Sequence, residues 1–514
     1  MIGEVISLES EGLSRLEEYR VLSPPRPERT LPRWSWTMAR KSARRKRTQQ
    51  GAEAQVNGSS LSPVHPHAAG IDIGSESHYV SVPPDRASAP VQEFGCCTPE
   101  LERMAAWLRG CGVETVAMES TGVYWVPVYR VLESRGLEVR LVDARQAKNV
   151  PGRKTDVQDC QWLRELHTFG LLRGCFIPPA SIQAVRTYWR HRTELVEACA
   201  RQLMLIQKAL EQMNVQLHKA VTDIGGETGM RILRAIVRGE RDPQVLASLR
   251  DGRVKKSESE LAAALTGHYS EEHVFLVAQC LQTYDFLQEQ MRECDRRLES
   301  CLSSFADGEG GAGGRGEEPS GAGGVVGKRC RSSAKRRKNQ VHFDLSRELA
   351  RINGVDLTQI DGISALTAQT IFSEVGSDLR AFATEKHFAS WLALCPNNRK
   401  TGGRVYRTKT RRSANRVATA LRLAAQSLHH SASALGALYR RLRARLGAPK
   451  AVTATAHRIA KLVYRMLRYG AAYVDEGETA YHARLAAQER SRLRRRAKAL
   501  GLALIDRATG DILP

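Results

Sequence analysis

Between residues 66 and 178, apolar runs of strand length alternate with stretches of helical periodicity. The apolar runs predict strands at residues 69–74, 79–82, 115–119 and 137–142. Amphipathic spacing predicts helices at residues 101–108, 125–132 and 156–166. The second strand follows the first closely enough to be its hairpin partner. The alternation as a whole is typical of an α/β layer fold.

From residue 180 to residue 302 the period changes, and apolar side chains recur every three or four positions. Two such stretches, at 182–217 and 280–301, predict long helices, and only Arg192 interrupts the apolar seam of the first. An antiparallel coiled-coil arm fits this spacing, and so does a plain helical bundle. In either case we interpret the region as a spacer or dimerisation element rather than a catalytic site.

The remaining sequence divides by composition. Prolines and the basic run at 40–47 predict a disordered basic arm over residues 1–65, within which Met38 is an alternative start. Gly-rich and basic sequence predicts a linker over residues 303–344. Helical periodicity returns over residues 345–472, with one Gly-centred interruption at 400–410, and a basic helical tail follows at 473–514. These predicted segments flank the α/β region at 66–178 and the helical arm at 179–302.

The net charge of the chain indicates what kind of partner it binds. The 514 residues contain 78 Lys and Arg against 55 Asp and Glu, a net charge of +23. Such an excess favours an enzyme that meets nucleic acid, because phosphate contacts need cations. A ribosome-associated protein, or a soluble protein that is merely basic, could carry the same excess of Lys and Arg over Asp and Glu.

Several classes of protein are disfavoured. The 11 cysteines form no C-x-x-C pair, so the sequence predicts no zinc site, and reduced thiols are expected. The chain lacks an apolar run of membrane-spanning length, and its first residues lack a secretory signal pattern. We therefore expect a cytoplasmic protein.

Carboxylates stand where the predicted strands end. Asp72 lies on the first strand, Glu119 ends the strand at 115–119, and Asp156 and Asp159 share one face of a helix. Carboxylates that converge at a sheet edge can hold Mg²⁺ ions for phosphodiester cleavage. Taken singly, Asp72 is also an ordinary strand-end residue, and Thr155 or Asp156 suits a helix N-cap.

The order of these motifs resembles a known family. The N-terminal motifs are Gly-Ile-Asp-Ile-Gly at 70–74, Glu-Ser-Thr-Gly-Val-Tyr-Trp at 119–125 and Gly-Arg-Lys-Thr-Asp-Val-Gln-Asp at 152–159. The C-terminal motifs are Ile-Asp-Gly-Ile at 360–363, Trp-Leu-Ala-Leu-Cys-Pro at 391–396, Thr-Gly-Gly at 401–403 and Lys-Thr-Arg-Arg-Ser-Ala-Asn-Arg at 409–416. With these motifs the chain resembles the insertion-sequence 110 transposases, the DEDD transposases also described as bridge-RNA-guided recombinases. The resemblance spans roughly residues 66–470.

The resemblance implies an RNase H-like, RuvC-type N-terminal domain, a coiled-coil dimerisation arm and a helical C-terminal transposase domain. It implies that Asp72, Glu119, Asp156 and Asp159 form a Mg²⁺-binding tetrad. It also implies a C-terminal hydroxyl that attacks DNA covalently, and a structured guide RNA that selects the donor and target sites.

One position departs from the family pattern. Where the resemblance implies a serine nucleophile, this sequence has Thr401. Threonine carries the same hydroxyl, but its methyl group stiffens χ1 and crowds an in-line attack. Thr401 is therefore interpreted as a working substitute, a slowed nucleophile or a mark of decay. Ser413 is the alternative nucleophile, although a serine before Ala-Asn-Arg is also typical of a helix N-cap.

Basic residues surround the predicted nucleophile. Those beside it could stabilise a developing phosphorane charge or simply face phosphates. The predicted nucleic-acid-binding set is Lys400, Arg404, Arg407, Lys409, Arg411, Arg412 and Arg416. The Arg-rich segment from 411 to 422 is predicted to lie along a nucleic-acid backbone.

Residues 360–367 resemble a helix-hairpin-helix turn. There, Gly362 would let backbone N–H groups meet a phosphate. A helix N-terminus packed in the core fits the same sequence.

The combined interpretation is a site-specific recombinase that works as a dimer or tetramer. A metal-dependent junction nuclease, in which water attacks and Thr401 is idle, is the alternative enzyme. A nucleic-acid-binding remnant without joining activity is the non-enzymatic alternative.

Overall fold

The computed structural model describes residues 62–143, 155–306 and 339–502, with two short paired strands, Leu504–Ile505 and Ile512–Leu513, near the C-terminus. Several sequence predictions lie outside these residues. They are the basic arm up to residue 61 with Met38, most of the Gly-rich linker, and residues 152–154 of the third N-terminal motif.

The N-terminal region is a five-stranded mixed sheet with the order β3-β2-β1-β4-β5. β1 pairs antiparallel with β2 and parallel with β4, while β3 and β5 form the edges. This topology fits the RNase H-like fold. The strands are β1 (Ala68–Ile73), β2 (Ser77–Ser81), β3 (Val91–Gly95), β4 (Thr115–Glu119) and β5 (Glu138–Val142).

Helices cover both faces of this sheet. The helices α1 (Thr98–Gly110) and α2 (Trp125–Ser134) bury Met104 and Leu132 against Ile71 and Met118 on one face. The helix α3 (Asp156–Thr168) lies on the other face, where Leu163 packs with Ala117 and Val142. Side chains alternate along a strand, so Gly70 and Ala117 face α3 while Ile71 and Met118 face away from it.

His167 fixes the last turn of α3 to the sheet. Its ring is fully buried, and Nε2 lies 2.9 Å from the hydroxyl of Thr115 on β4. Burial first, and then the charges of His65 and Arg140, lower the pKa of His167 to about 4. The imidazole is therefore neutral in the folded protein at neutral pH.

This burial gives a prediction for acid stability. An unfolded chain takes up a proton near pH 6.5 and the folded one only near pH 4, so the free energy of unfolding falls as the pH is lowered through this window. We expect a loss of at most about 3 kcal/mol. Urea unfolding of His167→Gln between pH 4 and 7 should show a flatter profile, whereas His191→Gln, at an exposed site, should follow the wild type. Parallel profiles for wild type and His167→Gln would contradict this assignment.

Two 33-residue helices form the arm, α4 (Ala180–Gln212) and α9 (Glu271–Ser303). They pack antiparallel, because residues near the start of α4 meet residues near the end of α9 in one core. Four short helices join them in a second core: α5 (Leu217–Ala220), α6 (Glu227–Val237), α7 (Pro243–Ser248) and α8 (Glu258–Leu265). The predicted pair of long helices is confirmed.

Arg192, the residue that interrupts the apolar seam, is buried in an ion pair. Arg192 and Asp295 are only 3% and 1% exposed, and the guanidinium Nε donates to the carboxylate at 2.5 Å. Its Nη2 also donates to the carbonyl of Asn339 at 3.2 Å. The pair thus replaces one apolar layer and links the arm to the C-terminal region.

Removing one member of this pair should be costly. Arg192→Leu leaves Asp295 charged and buried, so we expect the free energy of unfolding to fall by about 3–5 kcal/mol. The double variant Arg192→Leu/Asp295→Leu should recover most of that loss. Urea unfolding followed by circular dichroism measures both, and Arg296→Leu, whose exposed side chain pairs with Glu293, is the control. A single variant as stable as this control would contradict the prediction.

The C-terminal region is helical apart from one hairpin. Its core includes Ile182, Val185 and Trp189, so it packs on the base of the arm. The guanidinium of Arg190 also forms a bidentate ion pair with Glu374, with Nε donating to Oε1 at 2.9 Å and Nη2 donating to Oε2 at 2.8 Å. The elements are α10 (Leu345–Asn353), α11 (Ala365–Val375), α12 (Glu385–Trp391), β6 (Arg399–Thr401), β7 (Arg404–Arg407), α13 (Arg416–Ser427), α14 (Ala434–Leu446), α15 (Ala448–Tyr469) and α16 (Gly477–Ala499).

The segment between α3 and α4 joins the sheet to the C-terminal region. The ring of Phe176 lies 5.1 Å from Phe382 and 5.7 Å from Trp391. Trp391 directly precedes the segment that leads into the hairpin. Among the described helices, none is long and apolar enough to cross a membrane.

Candidate active site

Strand register brings Asp72 and Glu119 side by side. Ile71 pairs with Met118 in the parallel ladder of β1 and β4, and the two acidic residues come next on each strand. Neighbouring strands lie about 4.8 Å apart. By alternation from Gly70 and Ala117, both carboxylates point to the face that α3 covers. Both residues are half-buried.

The other two carboxylates lie on the first turn of α3. Asp156 is exposed and Asp159 is half-buried. Thr155 is the N-cap, and its hydroxyl accepts from the backbone N–H of Gln158 at 3.3 Å. Of the two caps that the sequence allowed, the structure thus selects Thr155, and Asp156 is left without a capping role.

A glycine sets the distance between α3 and β1. A Cβ atom on Gly70 would lie 2.3 Å from the carbonyl oxygen of Cys160 and 2.4 Å from the amide nitrogen of Arg164. The helix backbone therefore rests directly on the strand, two residues before Asp72. Sequence reasoning missed this role, although a glycine inside an apolar strand is typical of such a close approach.

The charges of two of the acidic groups act on neighbouring side chains of the sheet and of α3. Burial first, and then the charge of Asp72, raise the pKa of the Cys160 thiol on α3 to about 12. The hydrogen bond to Glu93 first, then burial and the charges of Glu93 and Asp156, raise the pKa of Tyr79. Since Tyr79 pairs with Asp72 across β1 and β2, the charge of Asp156 reaches the same end of the sheet.

The donor chemistry suits a hard divalent cation, because all four groups offer carboxylate oxygens. Glu119 is steadied by the hydroxyl of Thr121, which donates to its Oε1 at 3.3 Å. Within the described parts of the chain, no three His, Cys, Asp or Glu side chains already stand at the spacing of a metal site. The carboxylates thus converge on one sheet edge without forming a closed set of ligands.

Thr401 lies at the end of β6, next to a tight two-residue turn. Gly402 and Gly403 have φ angles of +54° and +77°, as a type I′ turn requires, and Thr401 pairs with Arg404 across it. The turn is the predicted Gly-centred interruption. Thr401 is exposed, so its hydroxyl is open to a large substrate.

The predicted nucleic-acid-binding residues follow this hairpin. Lys400, Arg404, Lys409, Arg412 and Arg416 are exposed. Arg411 is exposed as well, but its Nη2 donates to the carbonyl of Ser390 at 2.8 Å, so it also fixes the hairpin to α12. Arg407 ends β7 and pairs through its backbone with Arg399.

Ser413 is not the cap of the following helix. Asn415 caps α13, with its side chain accepting from the N–H of Ala418 at 3.0 Å. The predicted cap was therefore wrong by two residues. Ser413 instead accepts from the N–H of Asn415 at 3.2 Å.

The turn at Gly362 is packed against protein. Its φ is +89°, and a Cβ there would lie 2.7 Å from the carbonyl of Ala424 on α13. The hydroxyl of Ser364 caps α11 by accepting from the N–H of Thr367 at 3.2 Å. The glycine is thus explained by helix packing, the second of the two interpretations that the sequence allowed.

The hydroxyl and the carboxylates are carried by separate parts of the fold. Among the described elements, β6 and β7 pack extensively only with each other, while the carboxylates belong to the sheet and α3. The arrangement therefore places an acidic sheet edge on one region and an exposed hydroxyl among basic side chains on another.

Comparison with known families covers both regions. A DEDD family model of the IS110 type, described as Transposase, matches residues 69–215, which hold all four carboxylates. A model described as Transposase IS116/IS110/IS902 family matches residues 356–440, which hold the hairpin. No curated protein matches the chain at a significant level. Because both models name one family and match in succession, the chain belongs to the IS110 family of transposases and is a DNA transposase.

Proposed function

We propose that this transposase cuts and rejoins DNA through the hydroxyl of Thr401, assisted by Mg²⁺ at Asp72, Glu119, Asp156 and Asp159. The observation that carries the proposal is the register of β1 and β4, which sets two carboxylates side by side beneath the acidic first turn of α3. The exposed hydroxyl on a basic hairpin supplies the second component.

Each carboxylate has a distinct support. Asp72 and Glu119 are held by neighbouring strands, and Asp156 and Asp159 by a helix that cannot shift without separating from Gly70. When bound, Mg²⁺ would activate or position the phosphate and stabilise charge on the leaving oxygen. The protein itself contributes rigid placement of the oxygen ligands.

Thr401 would act as the nucleophile. Its Oγ1 would lose its proton and form a bond to the DNA phosphorus while one backbone P–O bond breaks, and the departing sugar oxygen would take up a proton, so that the net proton count is unchanged. Attack by the hydroxyl of another strand would then restore Thr401 and complete the joining. Lys400 and Arg404, its neighbours in the hairpin, would stabilise the negative charge of the pentavalent phosphorus.

Nucleic acid would be held along the basic surface after the hairpin. We propose that Lys400, Arg404, Arg407, Lys409, Arg411, Arg412 and Arg416 contact phosphates, and that a structured guide RNA shares this surface with the DNA. The supporting observation is that the described side chains of this set all reach the surface.

We further propose that the arm is a coiled-coil dimerisation element, so that the sheet of one subunit meets the hairpin of another. Large apolar side chains on both long helices support this, with Met204 71% and Phe286 61% exposed. Sedimentation velocity would distinguish a dimer from a tetramer. We place the activity in the cytoplasm, where a DNA transposase would meet its substrate.

One experiment separates the recombinase from its alternatives. Full-length protein is incubated with labelled element-junction DNA, Mg²⁺ and RNA transcribed from the element's flank, and the products are resolved on a denaturing gel. A protein-linked DNA band supports the covalent mechanism, and its dependence on the RNA tests the guide. Cut DNA without a linked band would identify the junction nuclease. Bound but uncut DNA would identify the remnant.

A further inference from the structure

The last long helix, α16, packs against the protein only near its start. Tyr481 is 5% exposed there, and Arg440 on α14 forms an ion pair with Glu478 at 2.6 Å. Further along, all eleven residues from 486 to 496 are exposed. Three turns of helix, about 16 Å long, therefore stand clear of the rest of the described chain on every side.

The exposed part of α16 is strongly basic. Between residues 484 and 498 it carries seven cations and a single carboxylate, that of Glu489. This carboxylate lies 4.0 Å from the guanidinium of Arg492, so it offsets at most one of the positive charges. The excess attracts a polyanion. The cations are Arg484, Arg490, Arg492, Arg494, Arg495, Arg496 and Lys498.

These cations repel one another along the helix. Arg490 stands four residues before Arg494, and Arg492 four residues before Arg496, a spacing at which like charges destabilise an isolated helix. Because residues 486–496 are exposed, packing within the described chain does not compensate this repulsion. A partner that places negative charge beside the arginines would compensate it, and a nucleic-acid backbone does so.

The directions of the cations distinguish a groove from a flat surface. With about 3.6 residues per turn, the seven cations cover an arc of about 240° around the helix axis. Arg492 and Arg496 form one flank of this arc, and Arg490 and Arg494 form the other. A helix that lies along a single strand meets phosphates on one side, whereas a helix inside a groove meets them on both.

Polar side chains occupy the middle of the arc, between the two flanks. Gln488, Ser491 and Arg495 are spaced i, i+3 and i+7, so they share one side of the helix. All three side chains can hydrogen-bond to base edges. The apolar Leu493, which is 47% exposed, lies on the opposite side, outside the cationic arc.

We propose that the exposed part of α16 enters the major groove of duplex DNA. The two arginine flanks would face the two phosphate backbones, and Gln488, Ser491 and Arg495 would face the base pairs. The major groove of B-form DNA, about 12 Å wide, admits an α-helix. The major groove of duplex RNA is too narrow. The proposal goes beyond the function proposed above, since it requires duplex DNA and neither Thr401 nor the acidic residues of the sheet.

The test is equilibrium binding of full-length protein to a fluorescent DNA duplex and to an RNA duplex of the same sequence, followed by anisotropy at several salt concentrations. One variant neutralises each flank: Arg490→Gln/Arg494→Gln and Arg492→Gln/Arg496→Gln. Each should weaken DNA binding by about tenfold and lower the slope of log affinity against log salt by about two, because two phosphate contacts are lost.

Arg296→Gln/Arg297→Gln is the matched control, because it makes the same change of net charge at exposed residues of the arm. It should bind DNA like the wild type. All the substituted side chains are exposed, so circular dichroism should show an unchanged fold in each variant. Methyl green, which occupies the major groove, should lower the wild-type affinity toward that of the flank variants, while netropsin, which occupies the minor groove, should leave it unchanged.

Three outcomes would overturn the proposal. If only one flank variant loses affinity, α16 lies along a single backbone. If RNA-duplex binding weakens as much as DNA binding, the partner is RNA. If both flank variants bind DNA like the arm control, α16 makes no contact with it. Each outcome leaves the Thr401 mechanism intact, since that mechanism is tested by the protein-linked DNA band and not by affinity.

Discussion

Replacing Thr401 by alanine is expected to lower the yield of protein-linked DNA by at least about 10³-fold, because it removes the proposed nucleophile and with it the linking step. Thr401 is exposed at the end of a short hairpin strand, so the change should leave folding untouched. The measurement is the linked band on a denaturing gel, with circular dichroism as a check on the fold.

Two matched variants sharpen this result. Thr401→Ser keeps the hydroxyl and removes the methyl group, so the linked band should persist or increase. Ser413→Ala removes the other candidate hydroxyl and should retain full yield. If Thr401→Ala forms the band and Ser413→Ala does not, the nucleophile has been assigned to the wrong residue.

The hairpin explains how threonine can stand where the family resemblance implies serine. β-branched side chains favour extended backbone, and Thr401 lies in a strand that must end at a turn of two positive-φ glycines. The methyl group therefore supports the element that carries the hydroxyl. This local advantage favours the interpretation of Thr401 as a working substitute.

Asp72→Ala is expected to abolish both cutting and linkage, again by at least about 10³-fold, since it removes a central ligand of the proposed cation site. Asp72→Asn should be nearly as inactive, because the amide keeps the shape and loses the charge. Product formation is measured across a Mg²⁺ titration.

Asp85→Ala is the control for this prediction, because Asp85 is an exposed acidic residue of the same domain that pairs with its neighbour Arg86. It should cut like the wild type. The tetrad assignment fails if folded Asp72→Ala protein cuts at the control rate. If linkage disappears while cutting persists, the carboxylates and the hydroxyl serve separate reactions.

Much of the N-terminal fold could be predicted from the sequence, because buried strands are continuous apolar runs. The strand at 115–119 has the predicted bounds, and β1 differs by one residue at each end. The edge strand Val91–Gly95 was missed, since Gln92 and Glu93 interrupt its apolar pattern and an edge needs less burial. Edge strands carry a weaker sequence signal for that physical reason.

Other features depend on partners that are distant in the chain. Arg192 is an interruption in a periodic pattern, and its partner Asp295 lies 103 residues away. The same applies to the acidic site. The sequence places Asp72 and Glu119 near the ends of their strands, but only the pairing of β1 with β4 in the folded sheet sets the two residues side by side. At Gly362 the sequence allowed a phosphate-binding turn, but in the structure the carbonyl oxygen of Ala424 packs against this glycine.

The β6–β7 hairpin is a small element, and its stability should affect when Thr401 is held in a fixed position. A two-stranded hairpin is only marginally stable by itself in water, and this one packs extensively with no other described element. Its cationic side chains repel one another until phosphates lie between them. The strand that presents Thr401 should therefore reach its firmest geometry only once nucleic acid is loaded. If Thr401 is the nucleophile, the enzyme would therefore be least reactive when no nucleic acid is bound.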